Sequence, residues 1–244
     1  MKAVFVTGSN GGIGTAICKH LKQKNYFVIG SDISDDVNNL DAFFKTDISN
    51  LSKDNEFREQ FAIDLKEIIG QNALVALVNN AAVQILSSIE DLNIEDFKHT
   101  LDVNLVAPLV LSKILYSYLK TNKGSIVNIG SIHSKLTKPQ FISYATSKSA
   151  LLGLTQAMAV DCGEHVRVNA VQPAATATEM LIDGFKDNPE AFKNLLKYHP
   201  TNSIASPSEV AEVVAFLLSE QCPFINGSVL DINGGIGSRL HDPV

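Results

Sequence analysis

The 244-residue sequence contains no tryptophan, three methionines and only three cysteines. Cys18, Cys162 and Cys222 are far apart and form neither a CxxC pair nor part of a histidine-rich cluster. An odd, scattered set offers no disulfide framework and no zinc site, and it is typical of reduced thiols in the cytoplasm. We therefore expect a cytoplasmic protein without a metal.

Long hydrophobic runs are also missing. No apolar stretch approaches the ~20 residues that a membrane-spanning helix needs, and the N-terminal one is too short for a signal peptide. Acidic side chains outnumber basic ones by 26 to 20, which gives a net charge of −6. A surface of that sign repels phosphate backbones and anionic lipid. We expect a soluble protein that binds neither nucleic acid nor membranes.

Short apolar runs alternate with longer segments of helical periodicity along the whole chain. The runs lack strict alternation, which is typical of parallel strands covered on both faces. They fall at 3–6, 27–30, 42–46, 74–78, 125–129, 167–171 and 228–232. The helical segments fall at 12–24, 55–69, 94–120, 143–161 and 207–219. This order predicts an α/β fold, a Rossmann-like, doubly wound parallel sheet of about seven strands with helices on both faces. We treat 1–244 as one domain, with the long excursion at 174–206 as a substrate lid.

A glycine-rich segment, Thr7-Gly8-Ser9-Asn10-Gly11-Gly12-Ile13-Gly14, lies between the first strand and the first helix. Glycines allow a tight turn and let the backbone approach a pyrophosphate, while the helix N-terminus offers N–H groups and a positive dipole end. An ordinary glycine-rich turn is the alternative. The position between a strand and a helix favours a dinucleotide site.

Asp32 stands 18 residues after Gly14, at the end of the second strand. This is close to the spacing at which an acidic residue binds the adenosine ribose hydroxyls, and its charge would repel a 2′-phosphate. We therefore expect NAD(H) rather than NADP(H), with a turn or capping role for Asp32 as the alternative. Asp47, after the third strand, is a candidate for the adenine edge or for a helix N-cap.

Three side chains suit proton transfer. Tyr144 and Lys148 are four residues apart in a helical segment, so they share one face, and Ser131 follows the fifth strand. A nearby ammonium should lower the pKa of the Tyr144 phenol and make it an acid and base for an alcohol proton. Most isolated YxxxK pairs are surface neighbours on a helix, so the interpretation depends on the whole set of motifs.

Taken together, these motifs resemble the single-domain short-chain dehydrogenase/reductase family over nearly the whole chain. The segment 7–14 resembles its TGxxxGxG loop, and 79–82 resembles its NNAG segment with alanine in place of the last glycine. Asn104 resembles the asparagine of the family's Asn-Ser-Tyr-Lys tetrad. The segments 167–173 and 231–235 resemble its sixth strand and its closing segment.

The resemblance implies a role for each matching residue. Tyr144 would be the acid and base, Lys148 would also bind the nicotinamide ribose, and Ser131 would orient the substrate oxygen. Asn104 would hold a relay water, with a helix kink or an interhelical hydrogen bond as the alternative. The implied cofactor-binding residues are Gly8, Asn10, Gly12, Ile13, Gly14, Asp32, Asp47, Ile48, Asn80, Tyr144, Lys148, Pro173, Thr176 and Thr178. The family also implies a homodimer or homotetramer formed through the helices at 94–120 and 143–161.

Two positions depart from the family pattern. Ala174 replaces the glycine that follows the proline of the sixth strand, so its backbone angle must suit alanine or the loop must shift. Ser203 stands where relatives often have arginine.

Candidate substrate contacts are Gln84, His133, Gln140 and Met180. His133 is more often a packed or solvent-facing residue than a ligand contact. The polar residues suit a sugar or polyol, and an apolar lid suits a steroid, terpenoid or acyl chain equally well. We expect an NAD-dependent alcohol dehydrogenase or carbonyl reductase that acts on CH–OH groups of a small alcohol or ketone. The alternatives are an NADPH-dependent 3-oxoacyl thioester reductase and a non-catalytic nucleotide sensor.

Overall fold

The computed structural model describes residues 1–35 and 40–240, without the side chain of Met180. Seven parallel strands form one sheet in the order β3-β2-β1-β4-β5-β6-β7. They are β1 (Lys2–Thr7), β2 (Phe27–Asp32), β3 (Ala42–Lys45), β4 (Ala73–Asn79), β5 (Ser125–Ile129), β6 (Arg167–Pro173) and β7 (Val229–Ile232). The strand order reverses between β1 and β4, where open sheets of this kind bind ligands. The predicted doubly wound fold is confirmed.

The helices are α1 (Gly12–Gln23), α2 (Asn50–Lys53), α3 (Asn55–Ile69), α4 (Ile94–Leu101), α5 (Ala107–Thr121), α6 (Ile142–Cys162), α7 (Glu179–Asp183), α8 (Pro189–Tyr198) and α9 (Pro207–Leu218). A π-helical turn, Asp102–Val106, joins α4 to α5. All five helices expected from the sequence are confirmed to within one residue at each end. The sequence reasoning missed α2, α7 and α8, which are short or lie in the segment 174–206.

Side chains of alternate residues of the central strands pack into two separate hydrophobic cores, one on each face of the sheet. Ala3 and Phe5 of β1 belong to the core under α3 and α5, whereas Val4 and Val6 belong to the core under α1 and α9. All four side chains are fully buried. Because helices cover both faces of the sheet, nearly every residue of a central strand is buried, and the strands are therefore continuous apolar runs in the sequence.

The helical segment Ile94–Thr121 is long and apolar enough to pass a membrane-span test based on length and composition. Its residues Leu111, Leu115 and Leu119 are completely buried in the core under α3 and α5. A core helix of a globular protein passes the same test, so this finding gives little support to a membrane span. Cys18 and Cys162 are buried, and Cys222 is partly exposed.

Candidate active site

The glycine-rich loop after β1 is packed so closely that side chains are excluded. Gly8 has φ +63°, and a Cβ on Gly14 would lie 2.0 Å from the carbonyl oxygen of Gly8. The N-cap residue of α1, which begins at Gly12, is Gly11 and has no side chain to cap the helix. Uncapped N–H groups and the positive helix end therefore face the position that a pyrophosphate takes in dinucleotide sites.

Asn80 supports this loop from the end of the neighbouring strand β4. Its Nδ2 donates hydrogen bonds to the carbonyl oxygens of Thr7 (3.0 Å) and Gly8 (2.9 Å). The Thr7 hydroxyl in turn accepts from the N–H groups of Asn80 and Ala81, both at 3.1 Å. The two strand ends are thus locked together at the switch point of the sheet. A direct contact of Asn80 with adenosine stays a prediction.

Asp32 lies at the end of β2 against the glycine-rich loop. Its carboxylate accepts hydrogen bonds from the N–H of Asn10 (3.0 Å) and from the N–H and hydroxyl of Ser34 (3.3 and 3.2 Å). Asp32 therefore holds a turn together and also lies where a residue that binds the adenosine ribose is expected. Lys45, its register partner on β3, is paired with Asp35 at 2.9 Å.

Asp47 and Ile48 follow β3 at the same edge of the sheet. The Asp47 carboxylate is exposed and accepts a hydrogen bond from the N–H of Ser49 (2.9 Å), just before α2 begins. This contact belongs to the turn before the helix: the N-cap residue of α2 is Ser49, without a side-chain cap, so the capping alternative is not seen. Ile48 is buried in the core under α3 and α5. The structure does not bring either side chain to the glycine-rich loop by any described contact, and their adenine contacts stay predictions.

Tyr144, Lys148 and Ser131 come together at the carboxyl ends of β5 and β6. The two α6 residues share a face as expected, with the Lys148 Nζ 5.6 Å from the centroid of the Tyr144 ring. Lys148 is buried and donates a 2.7 Å hydrogen bond to the carbonyl oxygen of Ile129, the last residue of β5. Ser131 interacts with the phenol and accepts from the N–H of His133 at 3.2 Å.

Burial controls the protonation of this cluster. It raises the pKa of Tyr144 above its usual 10, and a hydrogen bond with Ser131 acts in the opposite direction. It also lowers the pKa of Lys148 to about 8. The expected net lowering of the Tyr144 pKa is therefore wrong for the protein alone, because desolvation disfavours the phenolate and is the largest influence on this group. At neutral pH the phenol holds its proton and the ammonium is charged.

Asn104 lies in the π-helical turn between α4 and α5 and is buried. Its side chain accepts from the N–H of Val83 and donates to the Val83 carbonyl, both at 2.9 Å. It also donates to the hydroxyl of Ser147 at 3.0 Å, and Ser147 donates to the carbonyl oxygen of Tyr144 at 2.7 Å. The interhelical alternative is therefore seen, and Asn104 joins the loop after β4 to the helix that carries Tyr144. Its relay water stays a prediction.

His133 is the one candidate substrate residue that the described contacts bring to Tyr144. Its ring stacks on Phe141 (centroids 4.1 Å apart, planes at 5°) and meets the Tyr144 ring edge-on at 5.8 Å. Burial, assisted by Lys138, lowers its pKa to about 4, so the imidazole is neutral at pH 7. His133 is therefore packed against Phe141 and also lies beside Tyr144, so packing does not conflict with a substrate contact.

The other three candidates are placed less closely. Gln84 and Gln140 are exposed, and Gln140 adopts φ +74° in the loop before α6. The carbonyl of Gln140 accepts from the N–H of Ser87, which joins the loops after β4 and β5. The side chain of Met180 lies outside the described part of the structure.

The start of the segment 174–206 packs against the glycine-rich loop. A Cβ on Gly12 would lie 2.9 Å from the Cγ2 of Thr178, so Thr178 touches the N-terminus of α1. Thr176 is buried and pairs with Ala205 in an isolated parallel bridge. Pro173, whose register partner is Ile232, ends β6. Of these implied cofactor residues, Thr178 is the one that the described contacts bring to the glycine-rich loop, and the cofactor roles of all three stay predictions.

The two departures from the family pattern have local explanations. Ala174 is not among the described non-glycine residues with positive φ, and its N–H donates to the carbonyl of Ile232 at 2.9 Å. Alanine therefore suits this backbone without a shift. Ser203 is exposed and donates to the hydroxyl of Thr201 at 3.2 Å, and nothing in the structure gives it a functional role.

Sequence reasoning missed two residues that contact the cluster. Phe141 forms the platform under His133, and Gln172 on β6 donates to the carbonyl oxygen of Ser131 at 2.7 Å. A glutamine next to the proline at the carboxyl end of β6, the edge where ligands bind, was the available signal for Gln172.

The residues present fit a bound dinucleotide. The cradle at Gly8, Gly12 and Gly14 has no room for side chains, and Lys148 and Tyr144 lie two strands away along the same sheet edge. A doubly wound parallel sheet with a glycine-rich loop at its switch point defines the class of dinucleotide-binding proteins.

Comparisons with known proteins identify the family within that class. A family model described as enoyl-(acyl carrier protein) reductase matches residues 8–237. An uncharacterized oxidoreductase of Thermotoga maritima is 31% identical over 96% of this chain and 96% of its own length. An acetoacetyl-CoA reductase of Acinetobacter sp. is 29% identical over 96% of this chain and 97% of its own. The chain belongs to the short-chain dehydrogenase/reductase family and is an oxidoreductase of a family that uses nicotinamide cofactors.

Solved structures agree. The ligand-free aldohexose dehydrogenase of Thermoplasma acidophilum is 29% identical and superposes with a TM-score of 0.91 over 100% of this chain and 96% of its own. Similar structures include a 4-hydroxyisoleucine dehydrogenase with NADH (29% identical, TM-score 0.87, 98% of this chain and 100% of its own). They also include ElxO with NADP (25% identical, TM-score 0.87, 98% and 99%). The relatives therefore include users of both cofactors.

Proposed function

We propose that the protein is an NAD(H)-dependent oxidoreductase that interconverts a secondary alcohol and its ketone, with Tyr144 as the general acid and base. The observation that carries the proposal is the meeting of Ser131, Tyr144 and Lys148 at the sheet edge that also holds the glycine-rich loop. A hydroxyl, a phenol and an ammonium placed together are suited to moving a proton to or from a substrate oxygen whose charge changes during the reaction.

In the proposed reaction, bound nicotinamide supplies the acceptor or donor of the hydride. In alcohol oxidation, the Tyr144 phenolate takes the proton from the substrate oxygen, and the hydride on the carbon that bears this oxygen would go to the bound nicotinamide. In ketone reduction, the neutral phenol gives its proton to the carbonyl oxygen. The phenol is neutral in the protein alone because burial raises its pKa, so the resting state is ready for reduction. The Ser131 hydroxyl donates to the substrate oxygen as its charge grows.

Lys148 has two proposed tasks. Its ammonium, 5.6 Å from the phenol ring, stabilises the phenolate formed during the reaction, and it binds the nicotinamide ribose. Its hydrogen bond to the carbonyl of Ile129 fixes the ammonium against β5 while leaving donors available.

The preference for NAD(H) is proposed from Asp32. Its carboxylate lies at the end of β2 against the N–H of Asn10, where the adenosine ribose binds in doubly wound folds. A 2′-phosphate there would meet a negative charge, and the cation nearest along the sheet, Lys45, is paired with Asp35. Initial rates with NADH and NADPH decide this, and a higher kcat/KM with NADPH would contradict it.

A second candidate is the reduction of a 3-oxoacyl thioester with NADPH. The acetoacetyl-CoA reductase among the relatives favours it, and it uses the same proton-transfer residues. Asp32 argues against the NADPH requirement. Acetoacetyl-CoA belongs in the substrate panel for this reason.

The remaining proposals concern the molecule as a whole. We place it in the cytoplasm as a single domain in which 174–206 acts as a lid, supported by the contact of Thr178 with Gly12. Homodimer or homotetramer formation through α5 and α6 is supported by Leu109 and Val160, which stay exposed while Leu111 and Leu151 face the core. Light scattering tests the assembly, and a monomer would contradict it.

The deciding experiment follows NADH absorbance across a panel of aldoses, polyols, cyclic alcohols, their ketones and acetoacetyl-CoA. Tyr144→Phe should lower kcat by about 10²–10⁴ while NADH affinity stays near the wild-type value. Tyr118→Phe, the same change on α5 outside the cluster, is the control and should keep full activity. Bound NADH without turnover of any panel member would overturn the proposal, and normal cellular function of Tyr144→Phe would favour the nucleotide sensor.

A further inference from the structure

Gln172 connects β6 to the turn that carries Ser131. Its side chain is buried, and its Nε2 donates to the carbonyl oxygen of Ser131 at 2.7 Å. The same Nε2 donates to the hydroxyl of Ser134. Both contacts are to the turn Ser131–Ser134, which includes the short 3₁₀ segment Ile132–Ser134. One amide therefore holds both ends of this turn.

The turn held in this way presents two groups to Tyr144. The Ser131 hydroxyl interacts with the phenol, and the His133 ring meets the phenol ring edge-on. The two groups are coupled, because the N–H of His133 donates to the Ser131 hydroxyl. A shift of the turn by a fraction of an ångström would therefore change the distance from Tyr144 to both.

Stability alone does not explain a glutamine at this position. Its Oε1 is buried and accepts no hydrogen bond from the described residues. An unsatisfied buried acceptor carries a desolvation cost that an apolar side chain of the same length would avoid. A buried polar group kept at such a cost beside a catalytic edge is typical of a functional constraint.

We propose that Gln172 is a positioning residue that sets the distance between the Ser131 hydroxyl and the Tyr144 phenol. The inference rests on the proposed function and extends it to a residue outside the Asn104, Ser131, Tyr144 and Lys148 set. The described side-chain contacts of Gln172 are with the turn and not with the phenol, so it acts through the turn.

Gln172→Met keeps the length and removes the donor. We expect kcat to fall about tenfold, the equivalent of one hydrogen bond, while the Kd for NADH stays within about twofold. Gln23→Met makes the same change at an exposed position of α1, away from the helices proposed to form the oligomer, and should leave every measurement unchanged. Gln172→Asn, whose amide is too short to reach the Ser131 carbonyl, is the second variant and should behave like Gln172→Met.

A second measurement needs no substrate. NMR of protein labelled with ¹³Cζ-tyrosine follows the titration of Tyr144, whose signal is assigned by its loss in Tyr144→Phe. The charged or titratable groups that face this phenol are Lys148 and His133, with Lys138 behind Phe141. None of them changes in Gln172→Met, so we expect the pKa of Tyr144 to rise by about half to one unit as the Ser131 interaction weakens.

The two readouts separate this inference from the proposed function. An active wild type whose Gln172→Met variant keeps the wild-type kcat and the wild-type pKa of Tyr144 overturns the positioning role alone. A lower melting temperature with both values unchanged also overturns it, because it shows a purely structural residue. A wild type inactive on every substrate overturns the function, and the Tyr144 titration then still decides whether Gln172 sets the Ser131–Tyr144 distance.

Discussion

Replacing Gly14 by alanine tests whether the cofactor loop depends on one close approach. A Cβ at Gly14 would lie 2.0 Å from the Gly8 carbonyl oxygen and 2.9 Å from the Nδ2 of Asn80. Because Cβ atoms essentially never come within 3.0 Å of another heavy atom, the Gly8 carbonyl must move by about 1 Å, and it belongs to backbone that cannot rotate away.

The size of the effect follows from what that carbonyl holds. It accepts hydrogen bonds from the Asn80 Nδ2 at 2.9 Å and from the N–H of Gly11 at 3.3 Å. Losing both costs about 2 kcal/mol, and forcing a methyl group into a packed site adds about 1–3 kcal/mol. We expect Gly14→Ala to lower the free energy of unfolding by about 3–5 kcal/mol. If at least 1.4 kcal/mol of this disturbance reaches the pyrophosphate cradle, NADH affinity falls by about tenfold or more.

Gly153 provides the matched control. It lies inside α6, and a Cβ there would meet no heavy atom within 4 Å. Gly153→Ala should therefore raise the free energy of unfolding by about 0.5–1 kcal/mol, because alanine is the better helix former. Urea unfolding and NADH fluorescence titration measure both variants. A Gly14→Ala protein with the wild-type urea midpoint and NADH affinity would refute the close-approach argument.

Three further predictions concern charge. Asp32→Ser should raise the ratio of kcat/KM for NADPH to that for NADH by about tenfold, as expected for one charge beside a phosphate at water-like dielectric; an unchanged ratio contradicts the ribose assignment. Lys148→Met should abolish turnover yet raise the urea midpoint at pH 7, because the wild-type ammonium is charged and buried there. The difference in urea midpoint between Lys148→Met and the wild type should shrink as the pH rises from about 8 to 10.5, because the folded protein loses the Lys148 proton before the unfolded chain does. The free energy of unfolding of the wild type should fall as the pH is lowered from 6.5 to about 4, because only the unfolded chain protonates His133 in that range. His133→Asn should make this fall smaller. An unchanged slope of unfolding free energy against pH, measured by urea titration, contradicts the lowered pKa of His133.

The sheet and the main helices could be predicted because local signals and tertiary packing agree. Strands such as β1 read as unbroken apolar runs since both faces are covered. The start of α9 is marked by Ser206 and Glu209, which form a capping box with Pro207 at the first helical position. The predicted meeting of Ser131, Tyr144 and Lys148 followed from one helix face and one strand end, and the structure brings these residues together.

The sequence reasoning failed where the outcome depends on burial or on a partner distant in the chain. The pKa of Tyr144 is set by desolvation, and no spacing of residues reveals how deeply a phenol is buried. Asn80 supports the loop at Thr7 and Gly8 through contacts that span more than seventy positions. The helix α7 has only five residues, too few for a periodic pattern. The helix α8 is amphipathic, with Asn188 as its cap and Pro189 in its first turn, so its signals were present and were overlooked because 174–206 was interpreted as one irregular excursion.

The two cores are apolar, whereas the carboxyl edge of the sheet contains buried polar groups that do not contribute to hydrophobic packing. Lys148 is buried and makes no ion pair with any described residue, and the Gln172 Oε1 is buried without a described donor. Asn104 lies in a π-helical turn, a rare geometry that often marks functional sites. Each of these features costs stability, and each lies within one or two contacts of Tyr144. A chain selected for stability alone would replace them with apolar residues, so their concentration around one phenol supports chemistry at that position independently of the motifs.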